Sequence, residues 1–249
     1  MASGIDHVVI AVPDPDAAAA ELTERVGLAF TAAGRHPGLG TFNRLAFLGD
    51  AYLELIGVDD PVAAQGWAIG RAALRALEEG GGFATYGLLD EGIRATVARL
   101  QANGSSIGPV VPGSRRRPDG EVVEWWTATP PELGPDRPPF LIRHAALGAE
   151  WGTDALAARR ALVHPIGSPA RLVGLEIATD DPVAVAAECF AQLGLEFQLV
   201  GPVATSSVGP HVIRLVPRSP GPTATVAIRA SVGSTRSVSV PGIGLTISP

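Results

Sequence analysis

The sequence predicts an α+β fold in which repeated βαβββ modules form cupped mixed sheets with helices on the outside. Two observations lead there. A strand, an acidic residue, an amphipathic helix and a closing glycine recur three times, and further strand-like runs follow each helix. The composition agrees: of 249 residues, 46% are apolar and 18% charged, which supplies a sizeable core.

The first copy opens with Ile5-Asp6-His7-Val8-Val9-Ile10-Ala11-Val12, passes Pro13-Asp14-Pro15, and reaches Val26-Gly27-Leu28. The second runs from Phe83 to Leu89, meets Asp90 and ends at Asn103-Gly104; the third runs from Leu172 to Thr179, then Asp180-Asp181-Pro182, ending at Leu193-Gly194-Leu195. Asp14, Asp90 and Asp181 suit N-caps, because a carboxylate accepts the free N–H groups of a first helical turn. Pro15 and Pro182 fit the first helical position, where no N–H is needed. Gly27, Gly104 and Gly194 suit the left-handed residue that ends a helix. Apolar residues recur on one face between cap and glycine: Ala18, Leu22 and Val26; Ile93, Val97 and Leu100; Val183, Ala187, Phe190 and Leu193.

Strands are expected next at 29–33, 42–48 and 52–58 in the first copy, with Gly49-Asp50 as a tight turn. In the second copy they fall around 106–111, 121–128 and 140–144, and in the third at 196–200, 211–216 and 223–230. The chain thus divides into a first module (1–60), a helical linker (61–82), a second module (83–144), a linker with a short helix (145–170), a third module (171–230) and a tail (231–249). The tail either adds a strand or frays.

Composition also excludes. The formal charge of −6 argues against a nucleic-acid partner, which needs clustered positive charge. No apolar run approaches the ~20 residues of a membrane-spanning helix, so no membrane partner is expected. The start of the chain lacks the basic-then-apolar layout of a secretion signal, and the single cysteine, Cys189, permits no internal disulfide; both fit a cytoplasmic protein. Cys189 reads as a buried small hydrophobe. All 19 basic residues are arginine, which removes lysine Schiff-base chemistry and the phosphate loop ending in Gly-Lys. The run Arg115-Arg116-Arg117, beside Pro118-Asp119-Gly120, reads as a solvated loop or hairpin tip, with capture of an anionic substrate as the alternative.

One βαβββ unit cannot close a cavity, so two must pair edge to edge. That arrangement, with Ile5-Asp6-His7-Val8-Val9 at the start and Tyr52-Leu53-Glu54-Leu55 closing the module, resembles the vicinal oxygen chelate superfamily. The stretch from Gly34-Arg35-His36-Pro37-Gly38 through Thr41-Phe42-Asn43-Arg44 is similar to its glyoxalase-like domain family. The resemblance implies a divalent metal (Zn, Mn, Fe or Ni) on His7 and Glu54, with Glu54 also moving a proton and His144 completing a partial site. It implies substrate contacts from His36, Thr41, Asn43 and Arg44, with Trp126 walling the pocket. Arg44 is also a candidate partner for Glu54. The second half of the superfamily's ligand set has no counterpart here, since Phe83 aligns with His7 and Ile142 or Arg143 stands where a carboxylate is wanted.

Two functions follow: a metal-dependent lyase, isomerase or dioxygenase acting on a small oxygenated substrate, or a metal-free protein that binds and sequesters a small molecule, as bleomycin-resistance-type members do. A third is an assembly role, with the third module offering an edge for a homodimer.

Overall fold

The computed structural model describes residues 2–240 and 242–249; Met1 and Pro241, which fall in the expected first module and tail, lie outside the described residues. In chain order the first part is β1 (Gly4–Ala11), α1 (Pro15–Val26), β2 (Gly34–His36), β3 (Thr41–Leu48) and β4 (Ala51–Val58). Then come α2 (Pro61–Gln65), α3 (Ala68–Glu78), β5 (Gly82–Leu89), α4 (Ile93–Ala102), β6 (Val111–Arg116), β7 (Val122–Ala128) and β8 (Phe140–His144). Two short helices, α5 (Gly148–Trp151) and α6 (Thr153–Ala161), lead to the last part. It consists of β9 (Ala170–Thr179), α7 (Pro182–Leu193), β10 (Gln198–Val200), β11 (Val203–Val208), β12 (His211–Pro217), β13 (Ala224–Ala230), β14 (Arg236–Val240) and β15 (Ile243–Ser248).

The helix punctuation acts where the sequence puts it, with one exception. Asp14 accepts from the backbone N–H of Asp16 and Ala17 at 2.9 and 3.1 Å, and Asp181 from Val183 and Ala184 at 3.1 and 3.0 Å. Gly27 and Gly194 close α1 and α7 at φ 79° and 65°, the left-handed region where a Cβ is costly. Asp90 differs. It accepts from Gly92 N at 2.9 Å in a turn, and α4 starts only at Ile93.

The first eight strands form a closed barrel in the order β1-β4-β3-β2-β6-β7-β8-β5. β1 runs parallel to β4 and antiparallel to β5, which itself runs parallel to β8. At the β2–β6 seam the ladder is one pair, Arg35 opposite Arg116. The strands expected at 29–33 and 106–111 are not where they were read. Residues 29–33 are irregular, and side chains serve part of their backbone: Ala29 N donates to His164, and the Thr31 carbonyl accepts from the Arg44 guanidinium. β6 begins only at Val111 and pairs with β7 from there.

The remaining strands form a seven-stranded sheet, β10-β11-β12-β9-β13-β15-β14. It repeats the barrel's pairing: β12 is parallel to β9, β13 antiparallel to β9, and β15 parallel to β13. The run read at 223–230 therefore lies on the far side of β9 and starts a further half-copy, in which the short segment 231–235 replaces the helix. The tail supplies β14 and β15.

One continuous core joins the two sheets. Outward-facing Ile5, Val8, Ile10, Leu53 and Leu55 of the barrel pack with Leu175, Ile177, Val226 and Leu245, and with apolar faces of α1, α4 and α7. The α7 face is rotated from the one expected: Val185, Ala186, Cys189 and Leu193 are buried, whereas Val183 and Phe190 are exposed. Burial pushes the Cys189 thiol up to about 12, which suits a core residue rather than a nucleophile. By contrast, α3 presents Ile69, Ala72, Ala73 and Ala76 to Val9, Ala11, Ile56 and Phe140, side chains on the inward face of the barrel. Among the described residues no helix is long and apolar enough to cross a membrane.

Candidate functional site

Strand alternation sorts the barrel's side chains. On β1 and β4, His7, Tyr52 and Glu54 point inward, while Val8, Leu53 and Leu55 enter the outer core. β3 directs Asn43 and Leu45 inward, β7 Val123 and Trp125, and β8 Ile142 and His144. With His36, Arg115, Trp67, Ile69, Glu150 and Trp151 they enclose a cavity of about 30 Å³. A bulge adds one more group. Ile5 pairs with Leu88 and His7 with Gly87, so Asp6 is an extra residue on β1, and its side chain reaches His144 inside the barrel.

Three histidines are fixed by their partners. His7 Nδ1 lies 2.6 Å from Asp6 Oδ1, which makes Nδ1 the donor and turns Nε2 toward Glu54 Oε2 at 3.5 Å. His144 Nε2 lies 3.1 Å from both Asp6 oxygens, and its ring stacks on Trp151 with centroids 3.4 Å apart. His144 Nδ1 is buried without a partner among the described residues. His36 donates from Nδ1 to the Thr41 hydroxyl at 2.7 Å, and its Nε2 accepts from Asn43 Nδ2 at 3.3 Å. The same Asn43 nitrogen donates to Glu54 Oε1 at 2.5 Å.

The charges follow from burial and neighbours. Burial would raise the Asp6 carboxyl, but the positive field of His144 and the hydrogen bonds from His144 and His7 outweigh it and hold the group well below the usual carboxylate range. Burial lowers the His36 imidazole to about 4, with Glu54 pulling the other way and Arg115 assisting, so His36 is neutral near pH 7. Burial likewise raises the Tyr52 hydroxyl well above its usual value, so the ring that stacks on His7 is uncharged.

Three expected contacts fall outside the cavity. Arg44 neighbours Asn43 on β3 and so points the other way; it donates to Asp16 at 2.6 Å and to the Thr31 carbonyl at 2.7 Å, not to Glu54. Trp126 packs on the outer core with Arg143 above its ring, and Trp125 takes the inward place. Thr41 is buried behind His36 and is not part of the cavity wall.

The arginine run also differs from the solvated tip that was expected. Arg115 lies within β6, is 3% exposed and lines the cavity, paired with the buried carboxylate of Glu150. Arg116 is exposed, and Arg117 holds Asp119 and the other Glu150 oxygen, each at 2.9 Å. Sequence reading also passed over Asp6 as a site group, and Gly34 and Gly87. A Cβ on Gly34 would meet the Arg115 guanidinium and stand 2.8 Å from Asn43 Oδ1; one on Gly87 would stand 2.8 Å from the Phe140 ring and 3.3 Å from His7. Both glycines leave room for site side chains, a reason for glycine at those positions that is visible only in three dimensions.

The expected metal set does not assemble. His7 and Glu54 stand side by side, but His144 is turned to Asp6, and two donors fall short of the three protein ligands usual for a catalytic zinc. Among the described residues no group of three or more His, Cys, Asp or Glu side chains is arranged to hold a metal ion. The remaining histidines are structural. His164 bridges Ala29 N and the Phe47 carbonyl at 3.0 and 2.9 Å, and His211 accepts from Ile5 N at 2.9 Å.

Paired βαβββ units curled around inward-facing polar side chains define the class: this is a vicinal oxygen chelate protein. Within that class the chain belongs to the glyoxalase-like domain family, whose sequence profile matches residues 5–194. A hypothetical protein from Staphylococcus aureus shares the fold over 98% of both chains, with a TM-score of 0.80 at 16% identity. Methylmalonyl-CoA epimerase from Mycobacterium tuberculosis matches 58% of this chain and 89% of its own, with a TM-score of 0.44 and 19% identity. A Streptomyces coelicolor methylmalonyl-CoA epimerase variant in complex with 2-nitronate-propionyl-CoA matches 59% of this chain and 98% of its own, with a TM-score of 0.44 and 18% identity. No curated protein matches the sequence.

Proposed function

We propose that the barrel cavity is the active site of a lyase or isomerase that moves a proton on a small oxygenated molecule, with Glu54 as the base. The observation that carries this reading is the setting of Glu54. Its carboxylate is 6% exposed, is held by Asn43 at 2.5 Å, and presents its other oxygen to the cavity beside His7 Nε2. A carboxylate fixed in a dry pocket is suited to proton abstraction next to a carbonyl. Asp6 positions His7 by fixing its tautomer, neutral His36 holds Asn43, and Asn43 Oδ1, buried without a partner among the described residues, is an acceptor for a substrate hydroxyl.

The test is deuterium exchange into a panel of small 2-oxo and 2-hydroxy compounds, followed by NMR. Glu54→Gln keeps the shape and the Asn43 contact and is expected to slow exchange by about 10²- to 10⁴-fold. Two outcomes would replace the reading. Unchanged ligand binding with no exchange in the parent protein makes this a sequestering protein. Stoichiometric divalent metal in protein purified without a nickel column, lost in both His7→Ala and Glu54→Ala, makes Glu54 a ligand instead.

A further inference from the structure

We propose that the substrate carries a carboxylate, and that Glu150 occupies its place on Arg115 in the closed structure. This rests on the reading of the barrel cavity as the active site, and it names the class of molecule that enters.

The cavity is too small for any substrate. Its 30 Å³ is room for a water or two, whereas ligand pockets run to several hundred Å³. Some wall must therefore leave. Most of the walls are barrel strands, and Trp67 and Ile69 belong to the α3 region, whose Ile69, Ala72, Ala73 and Ala76 are seated in an apolar cluster. The remaining wall is Glu150 and Trp151 on α5. That helix has four residues, no side-chain cap, an exposed Leu147 before it, and glycines at Gly148 and Gly152. It is the shortest of the helices in the wall, held by Trp151 against Tyr52 and His144 and by the Glu150 ion pairs.

What α5 puts into the barrel is a carboxylate. Glu150 is 4% exposed, with Oε2 on Arg115 Nη2 and Oε1 2.9 Å from Arg117 Nη1. Arg115 forms no other ion pair among the described residues. When α5 lifts, the buried guanidinium loses its one ion-pair partner among the described residues, and a desolvated charge of that kind strongly favours an oxyanion that fits its two-pronged face. The position is apt for a substrate. Arg115 and Asn43 both crowd the space above Gly34, and Asn43 bonds Glu54. An acid group on Arg115 thus directs the adjoining carbons toward Glu54. Arg115 becomes the residue that determines specificity, and Glu150 an internal competitor.

Calorimetric titration with lactate and 2-oxobutyrate, each against its amide, tests this. The acids are expected to bind about tenfold or more tightly than the amides. Glu150→Gln should tighten the acids about tenfold by removing the competitor. Arg115→Gln alone leaves the buried Glu150 with Arg117 as its one ion-pair partner among the described residues, so the double variant Arg115→Gln/Glu150→Gln is the safer probe, and it should bind acid and amide alike. Equal binding of acid and amide by the parent protein, no binding of either acid, no gain in Glu150→Gln, or a preserved acid preference in the double variant would each overturn the proposal. Acid-selective binding without exchange in any compound would sink the role of Glu54 and leave the clamp standing. Exchange on amides as fast as on acids would do the reverse.

Discussion

His36 is neutral in the folded chain because burial, with Arg115 assisting, outweighs the pull of Glu54. An unfolded imidazole takes up its proton near pH 6.5, whereas the folded one waits until about pH 4. Stability from this residue is therefore full above pH 6.5 and declines as the pH falls toward 4. His164 and His211, also lowered by burial, act in the same direction. Replacing His36 with Gln is expected to flatten the pH dependence of the urea midpoint across that window, and an unchanged slope would show that the folded imidazole protonates as easily as the free one. Such residues were partly legible. Strand parity sends His7, Glu54 and Asn43 to one side, and the loop glycines flag His36. Parity also rejects Arg44 and Trp126, since each adjoins a residue that points inward. Asp6 was illegible because a bulge breaks parity, and Arg115 because a run of three arginines beside a turn resembles solvated charge whether or not one member is enclosed.

Helices were the most readable elements, because Asp-Pro before and Gly after encode local hydrogen bonds that need no distant partner. Strands were read less well where their ladders depend on remote groups, as at 29–33, where His164 serves a backbone N–H from 135 positions away. The second sheet carries a local conflict: Arg171 on β9 faces Arg229 on β13, both exposed and neither ion-paired among the described residues. Like charges directly opposite on antiparallel strands are destabilising. Arg229→Thr, a good strand former, is expected to raise stability at low salt by roughly 0.2–1 kcal/mol, read as a higher urea midpoint. A gain that persists in 1 M salt would mean that charge repulsion is not its source.

At the scale of the molecule, the repeat read from the sequence organises both sheets, and the half-copy at the end escaped notice because its helix is gone. Comparing the copies through their Asp14 and Asp181 caps and their strand registers puts Gly174 at the place of His7 and Arg214 at the place of Glu54. Where the barrel encloses an imidazole and a carboxylate, the second sheet presents Arg214 bonded to Glu176 at 2.6 Å, with both side chains open to water. A fold built by duplication thus ends up functionally lopsided. One half keeps a dry interior for chemistry, and the other is a buttress. A saturating titration of the catalytic ligand should accordingly plateau at one molecule per chain, and a plateau at two would show that the outer copy retains a pocket of its own.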